Sequence, residues 1–436
     1  MKYFLDTKNP TINELVYWFQ VEFTELADAM KNSTHSAVSN EPNPYHIEDS
    51  VWTHTMMVCQ RAEIENVSKV NKICTLLHDL GKPKAREVIP FNAKKPVHTE
   101  SNKNRNKLQT KEVPKSGLKT HFRGHEGLSL YLSVEPLHKL RELNVLSLKE
   151  VEQCLKIIGM HGTLFDNINE DGTMKKPEKV FDKFISEYKL IEFSKRKLTW
   201  NGIHNFFKDE IELFNNFVTQ VRCDSLGRFF VSKDGRKNNA VLLGTKIFTE
   251  QDLVDRIEDR LEFIKTKNKT NITKPYIRVL VGVPGSGKST YLDNRCYIPE
   301  EAPVIISRDD TLMEYAKANN IKGNYSEVWK QLTDEDQKII DQVLEDTFRT
   351  ALKNSRNMIV DMTNMAGKKQ RSWGNKAPKY KKECVFFATD YFEIFKRLEK
   401  RRLETGKNIP LGVVETMMKS LTVPTFANFD EIFWVF

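Results

Sequence analysis

The sequence predicts two folds in series: an all-α N-terminal domain over residues 1–245 and an α/β domain with a parallel sheet over residues 275–436. Three observations carry this. Up to Arg228, apolar side chains recur at the spacing of amphipathic helices. After residue 275 apolar strands alternate with helical patterns, and the first strand, Ile277 to Val281, runs straight into a glycine-rich turn. Between the two, Lys265-Thr266-Lys267-Asn268-Lys269-Thr270-Asn271 has no apolar residue, so a charged helix from Glu250 and this polar stretch form a connection over residues 246–274.

From Thr11 to Met30 a helix places Leu15, Trp18, Phe19, Phe23, Leu26 and Met30 on one side. An Asn/Pro-rich turn, Asn40 to Pro44, leads to a second helix from Ser50 to Val70, with Ser50 as its cap and His54 in its first turns. A third helix holds Ile73 to Leu80 and is stopped by Gly81 and Pro83. Between Lys94 and Arg123 nine Lys or Arg residues face only Glu100 and Glu112, which reads as a long basic loop, either a solvated excursion or a phosphate-tracking surface. Helical patterns resume at His125–Leu132 and Leu148–Met160, the latter ending in His161-Gly162. They continue to Arg228, with Cys223-Asp224 near the end of an apolar run. Phe229 to Leu243 is expected to form a hairpin around Asp234-Gly235.

Composition narrows the classes. No run approaches the ~18 apolar residues of a membrane span, and Asp6 and Lys8 interrupt any signal-peptide pattern. Six scattered cysteines without a CxxC pair read as reduced core thiols, so the expected compartment is the cytoplasm. A net charge of +9 suits a polyanionic partner without establishing one.

The turn Gly282-Val283-Pro284-Gly285-Ser286-Gly287-Lys288-Ser289-Thr290 sits between a strand and a helical pattern, the context of a phosphate-binding loop. Glycines let backbone N–H groups point at a β-phosphate, and the following helix adds positive potential. Lys288 reaches the β/γ-phosphates and Ser289 holds Mg²⁺, so ATP or another nucleoside triphosphate is the expected ligand. The strand Val304 to Ser307 leads into Arg308-Asp309-Asp310, which puts two carboxylates at the C-terminal edge of the sheet, where one could take a proton from an attacking hydroxyl. A further strand, Asn357 to Asp361, ends in Asp361-Met362-Thr363-Asn364. Phe395 to Arg402 is a basic helix, either a solvated face or a lid over the transferred phosphate.

Before the boundary, His54, His78, Asp79, His125, His161 and Asp224 each fall on or at the end of an expected helix. Imidazoles and carboxylates suit divalent first-row metals. A lone histidine is usually structural; six such residues in this order are another matter. Leu76-Leu77-His78-Asp79-Leu80-Gly81-Lys82-Pro83, with the pieces around His54, His125 and Asp224, resembles the signature of HD-family phosphohydrolases over residues 45–230. The resemblance implies an all-α HD domain whose six residues hold two divalent transition metals, Mn²⁺ or similar, for hydrolysis of a phosphoester. Lys82 and Arg123 then become candidates to hold the substrate phosphate, and His46 and His121 to support the ligands.

The phosphate loop, Arg308-Asp309-Asp310, Asp361 to Asn364, the basic helix and Ile409-Pro410 to Ser420 together resemble bacteriophage-type polynucleotide 5′-kinases over about 150 residues. By that resemblance Asp309 is the general base, Arg401 with Arg397 is the lid on the transferring phosphate, and Asp361 and Asn364 lie near the substrate phosphate. Two departures stand out. Leu312 occupies the position of an acceptor-binding arginine, which leaves that task to Arg371, Lys376 or another group, and the lid carries extra residues from Arg402 to Lys407. The whole resembles fused HD-phosphohydrolase/polynucleotide-kinase end-healing enzymes of bacteria and their phages. This implies work on RNA ends such as nicked tRNA, in a bacterial or phage-infected cytoplasm, with a separate RNA ligase and no membrane. A nucleoside kinase fused to a nucleotidase, and an ATP-responsive nucleic-acid-binding protein, are the other readings of the same residues.

Overall fold

The computed structural model describes residues 5–6, 8–43, 46–91, 114–163, 177–228, 249–266, 275–295, 297 and 302–436. The expected hairpin at 229–243, most of the basic loop, the end of the polar connection and Cys296 lie outside these residues.

The N-terminal half is built around the Lys69–Leu77 helix, which is buried from Val70 to Leu77. A helix buried on every side, its polar Asn71, Lys72 and Thr75 included, sits in the middle of a bundle. The Val51–Ile64, Leu148–Met160 and Lys208–Leu226 helices pack around it, and His125–Glu142 packs on Leu148–Met160. The central helix ends at Leu77, so His78 and Asp79 fall in the turn after it. At Gly81 a Cβ would lie 2.3 Å from the His125 carbonyl oxygen and 2.6 Å from the Ser129 nitrogen, and its own N–H donates to Ser129 Oγ at 2.8 Å. Only glycine lets this turn come so close to the neighbouring helix.

Several boundaries differ from expectation. The first helix breaks into Ile12–Glu22 and Thr24–Lys31 at Phe23, whose φ of −126° and ψ of 47° are not helical. The bend stacks Phe23 on Phe19 at 5.7 Å and sets it edge-on to Trp18 at 5.5 Å, so aromatic burial decides the geometry. The second helix ends at Ile64; Asn66 takes a φ of 47°, and the Ser68 hydroxyl caps the next helix by accepting from the Asn71 N–H. Pro83 does not stop a helix but begins one, Lys82–Ala85, because the first turn needs no proline N–H. The half is also not purely helical. Strand β1 (Glu87–Pro90) pairs antiparallel with β2 (Leu118–His121), Glu87 opposite His121, and pins the two ends of the basic segment together. Four residues a strand is too short for an alternation to be legible.

The C-terminal half is a five-stranded, all-parallel sheet of β3 (Tyr276–Val281), β4 (Val304–Ser307), β5 (Met358–Asp361), β6 (Lys381–Phe387) and β7 (Glu431–Val435) in the order β4-β5-β3-β6-β7. The registers Leu280↔Asp361 and Ser307↔Asp361 bring the ends of β3, β4 and β5 to one edge, where open α/β sheets bind ligands.

One apolar cluster runs through both halves. The His125–Glu142 helix packs against the Tyr391–Thr405 and Leu411–Lys419 helices, and Tyr131 on it meets Phe386 of β6 at 6.5 Å. Lys84 Nζ sits 4.8 Å above the Tyr391 ring, and Ser186 Oγ donates to the Asp430 carbonyl at 2.7 Å. Among the described residues no helix is long and apolar enough to cross a membrane, and Cys59, Cys74, Cys154, Cys223 and Cys384 are buried free thiols.

Candidate functional site

Five helix ends bring six chemistry-bearing side chains to one buried place. His54 Nε2 lies 3.1 Å from Asp224 Oδ1, and His78 Nε2 lies 3.8 Å from the same oxygen and 3.1 Å from Asp79 Oδ2. On the other side, His125 Nε2 is 3.1 Å from His161 Nε2 and 3.4 Å from Asp79 Oδ1. The side chains thus form two groups able to hold an ion, His54/His78/Asp224 and Asp79/His125/His161.

The ring tautomers test this fit. His78, His125 and His161 each donate Nδ1–H to a backbone carbonyl three residues back, those of Thr75, Phe122 and Ile158, at 2.9, 2.8 and 2.6 Å. In a neutral ring that leaves a lone pair on Nε2. Two such lone pairs 3.1 Å apart, with a carboxylate beside them, repel unless a metal ion or a shared proton lies between them. His78 Nε2 and both Asp79 oxygens are buried without a directed hydrogen bond, although Lys82 Nζ lies 2.7 Å from Asp79 Oδ2. Burial presses the His78 imidazole down, but Asp79 and Asp224 overcome it and hold it above the ordinary histidine value. Burial pushes the other way on Asp79, yet the charges of His78 and Lys82 keep its carboxyl well below the usual range. His161 is pushed down to about 4, by burial first and then by His125 and His78. These residues therefore fit divalent cations.

A second layer comes from a loop that the motif reading had only partly singled out. Glu48 Oε1 accepts from His54 Nδ1 at 3.1 Å and from His46 Nδ1 at 2.9 Å, which turns His54 Nε2 toward Asp224. His35, stacked on His46 at 4.0 Å, accepts from Lys82 Nζ at 3.1 Å. The signal was the spacing of His35, His46, Glu48 and His54 within one short stretch. Glu48→Gln is expected to weaken metal binding about 10–100-fold in a chelator-competition titration; an unchanged affinity would remove Glu48 as the group that orients His54.

A cavity of about 400 Å³ opens over these ligands, with Lys82, His121 and Arg228 in its wall. Arg123 is exposed and does not line it. Arg123 lies between β2 and the His125 helix, whereas Arg228 lines the cavity.

At the sheet edge, Gly285 and Gly287 take φ of 83° and 96°, a left-handed backbone that side chains disfavour. The Tyr391–Thr405 helix lies on this turn: the Ile394 carbonyl and the Leu398 side chain come within 3.1 Å of where a Gly285 Cβ would sit. The helix that follows the turn begins at Lys288, earlier than the Tyr291 start the pattern suggested. Lys288 Nζ donates to the Gly282 and Val283 carbonyls at 2.8 and 3.0 Å, and burial pushes its pKa down to about 8 against the pull of Asp361 and Asp309. Burial likewise raises Asp361. Ser289 and Thr290 are exposed at the mouth. Arg397 donates to Glu393 at 2.9 Å with Nη1 3.6 Å from a Gly287 Cβ position, and the charge of Arg401 is felt by Lys288 and Asp309.

Asn364 has a different role from the one expected. It is buried, its amide donates to the Leu280 carbonyl at 2.9 Å and its oxygen accepts from Trp373 Nε1 at 3.1 Å, so it ties the end of β3 to the Gly367–Lys376 helix. Leu312 is fully buried with Ala316, Val328 and Ile340. Lys376, one suggested substitute for the missing arginine, is tied to Glu345. The cations beside Asp309 are others. Lys407, from the extra lid residues, donates to Asp309 Oδ2 at 2.7 Å, and Tyr325 OH donates to Oδ1 at 2.8 Å. Tyr325 comes from the start of the Tyr325–Gln331 helix, 16 positions on, and Lys407 from 98 positions on, so no local pattern joins either to Asp309.

Residues 277–424 match the AAA domain family. With the parallel sheet and the glycine turn, this defines the C-terminal half as a P-loop nucleotide-binding domain, a class that implies ATP and Mg²⁺. Among solved structures the chain is similar to one titled "Structure of the Pnkp1/Rnl/Hen1 RNA repair complex", with 25% identity over 35% of this chain and 46% of that one and a TM-score of 0.29. It is also similar to a putative kinase from Chloroflexus aurantiacus, with 13% identity over 38% of this chain and 86% of that one and a TM-score of 0.27. The chain thus spans less than half the length of the first of these.

Proposed function

We propose that this chain is a bifunctional end-healing enzyme acting on nucleic acid, RNA in particular. The C-terminal half phosphorylates 5′-hydroxyl ends with ATP, and the N-terminal half, an HD-type phosphohydrolase, removes a 2′,3′-cyclic, 2′- or 3′-phosphate. The observation that carries the reading is Asp309, an ionised carboxylate at the mouth of the phosphate loop, in the same chain as a cavity over paired lone-pair donors.

In the kinase half Asp309 takes the proton of the attacking hydroxyl. Lys288 holds the β/γ-phosphates, Ser289 holds Mg²⁺, and Arg401 and Arg397 neutralise charge on the transferred group. In the other half His54, His78 and Asp224 would hold one divalent cation and Asp79, His125 and His161 a second. Such cations would supply Lewis acidity toward the phosphoester. Lys82 and Arg228 neutralise the substrate phosphate from the cavity wall, and Glu48 keeps His54 aimed. The healed ends are substrates for a separate ligase in the bacterial or phage-infected cytoplasm.

The test uses a 5′-hydroxyl RNA oligonucleotide carrying a 2′,3′-cyclic phosphate, incubated with ATP, Mg²⁺ and Mn²⁺ and followed by mass. Phosphate gained at the 5′ end and opened or lost at the other is the expected result. Change at the 5′ end alone would return the helical half to a nucleotide substrate, and no change at either end with ATP still bound would overturn the polynucleotide reading.

A further inference from the structure

Between the Arg308–Ala318 and Asp334–Lys353 helices the chain carries two aromatic side chains whose ring faces the chemistry above leaves unused. Tyr325 and Trp329 lie one turn apart on the Tyr325–Gln331 helix, so their rings stack at 6.2 Å with planes 23° apart. The Tyr325 hydroxyl donates to Asp309 at 2.8 Å, which fixes the pair beside the carboxylate assigned to the acceptor hydroxyl. Trp329 is 45% exposed, although Val328 beside it is buried and the helix has an apolar face to pack.

A single exposed indole is ordinary. Its company is what points to a ligand. The Arg308 guanidinium, held by Asp341 and Gln337, lies 5.3 Å from the Trp329 ring, and Lys407 Nζ lies 3.6 Å above Tyr325. π-faces and cations thus alternate along one edge of the catalytic mouth. Single-stranded nucleic acid is bound by this combination, aromatics taking bases and cations tracking the backbone.

We propose that Trp329, with Tyr325 behind it, is the stacking platform for the base nearest the 5′-hydroxyl of a single-stranded acceptor, with Lys407 and Arg308 supplying positive potential toward its backbone. The inference rests on the polynucleotide-kinase reading. It adds how an acceptor is held in a chain whose buried Leu312 offers no cation. Every base has a π-face, so the platform takes any sequence.

Phosphorylation rates with an ordinary 5′-hydroxyl oligonucleotide and with one whose terminal nucleotide is abasic, for the wild type, W329A and W329F, test it. The wild type is expected to show a KM for the abasic acceptor higher by about tenfold. W329A raises the KM for the ordinary acceptor by about as much, leaves the KM for ATP in place and treats the two acceptors alike; W329F retains most of the discrimination. A wild type that uses both acceptors equally well, or a W329A that still discriminates, overturns the platform and leaves the kinase reading standing. A wild type that binds ATP and phosphorylates neither acceptor overturns the kinase reading, and the platform with it.

Discussion

Replacing His78 and Asp79 together by alanine is expected to abolish divalent-metal binding by the helical half and its phosphohydrolase activity, with 5′-phosphorylation unchanged. Asp79 is the reason for the size of the effect. Its Oδ2 is 3.1 Å from His78 Nε2, while its Oδ1 is 3.4 and 3.9 Å from the Nε2 atoms of His125 and His161, so it borders both groups. The response of stability to metal separates a metal site from a structural network. Asp79 is paired with Lys82 at 2.7 Å and with His78 at 3.1 Å, so removing both residues leaves a buried lysine without its carboxylate partner. The metal-free variant should therefore melt below the metal-free wild type. The wild type gains stability with metal as RT ln(1 + [L]/Kd), and the variant should gain none. A variant whose melting temperature still climbs with Mn²⁺ would sink the assignment, and loss of kinase activity alongside would contradict two separate sites.

The parts legible in the sequence are those whose requirement is local. A turn that carries left-handed glycines at 285 and 287 needs glycine whatever surrounds it, so its residues announce themselves. His78 and Asp79 stand out because two adjacent ligand-type residues end an expected helix just before Gly81. What stayed hidden depends on tertiary placement. Glu48 and His35 sit in a loop, and nothing in their immediate neighbours says that they turn inward onto His54 and Lys82. Lys407 reads as one more charge in a basic stretch until the lid folds it onto Asp309, 98 positions earlier in the chain. The converse error has the same origin. Arg123 and Asn364 each neighbour a true motif residue in sequence, but one faces outward and the other is consumed as a brace, since adjacency in sequence does not fix side-chain direction. The pair β1 and β2 is held by its two ends meeting, not by any pattern along either strand.

Asp309→Asn is expected to lower the turnover of 5′-hydroxyl phosphorylation by about 10²–10⁴-fold, with ATP affinity unchanged, because an amide cannot take the proton but fills the same space. The environment of Asp309 adds a pH test. Burial pushes its pKa up, but the hydrogen bond and charge of Lys407, with the Tyr325 hydroxyl, outweigh burial and hold it below the ordinary carboxylate value. A general base works only when deprotonated, so the acid limb of kcat/KM should lie below the ordinary carboxylate range, and the rate should be flat through neutral pH. Lys407→Ala removes the principal group holding the value down. The pKa then rises, and the acid limb must move to higher pH. If Lys407 served only to pin the lid, its removal would change KM or stability and leave the limb where it was. An unmoved limb would thus separate Lys407 from Asp309, and full turnover by Asp309→Asn would remove Asp309 as the base, leaving Asp310 or Asp361 at the same edge of the sheet to take that role.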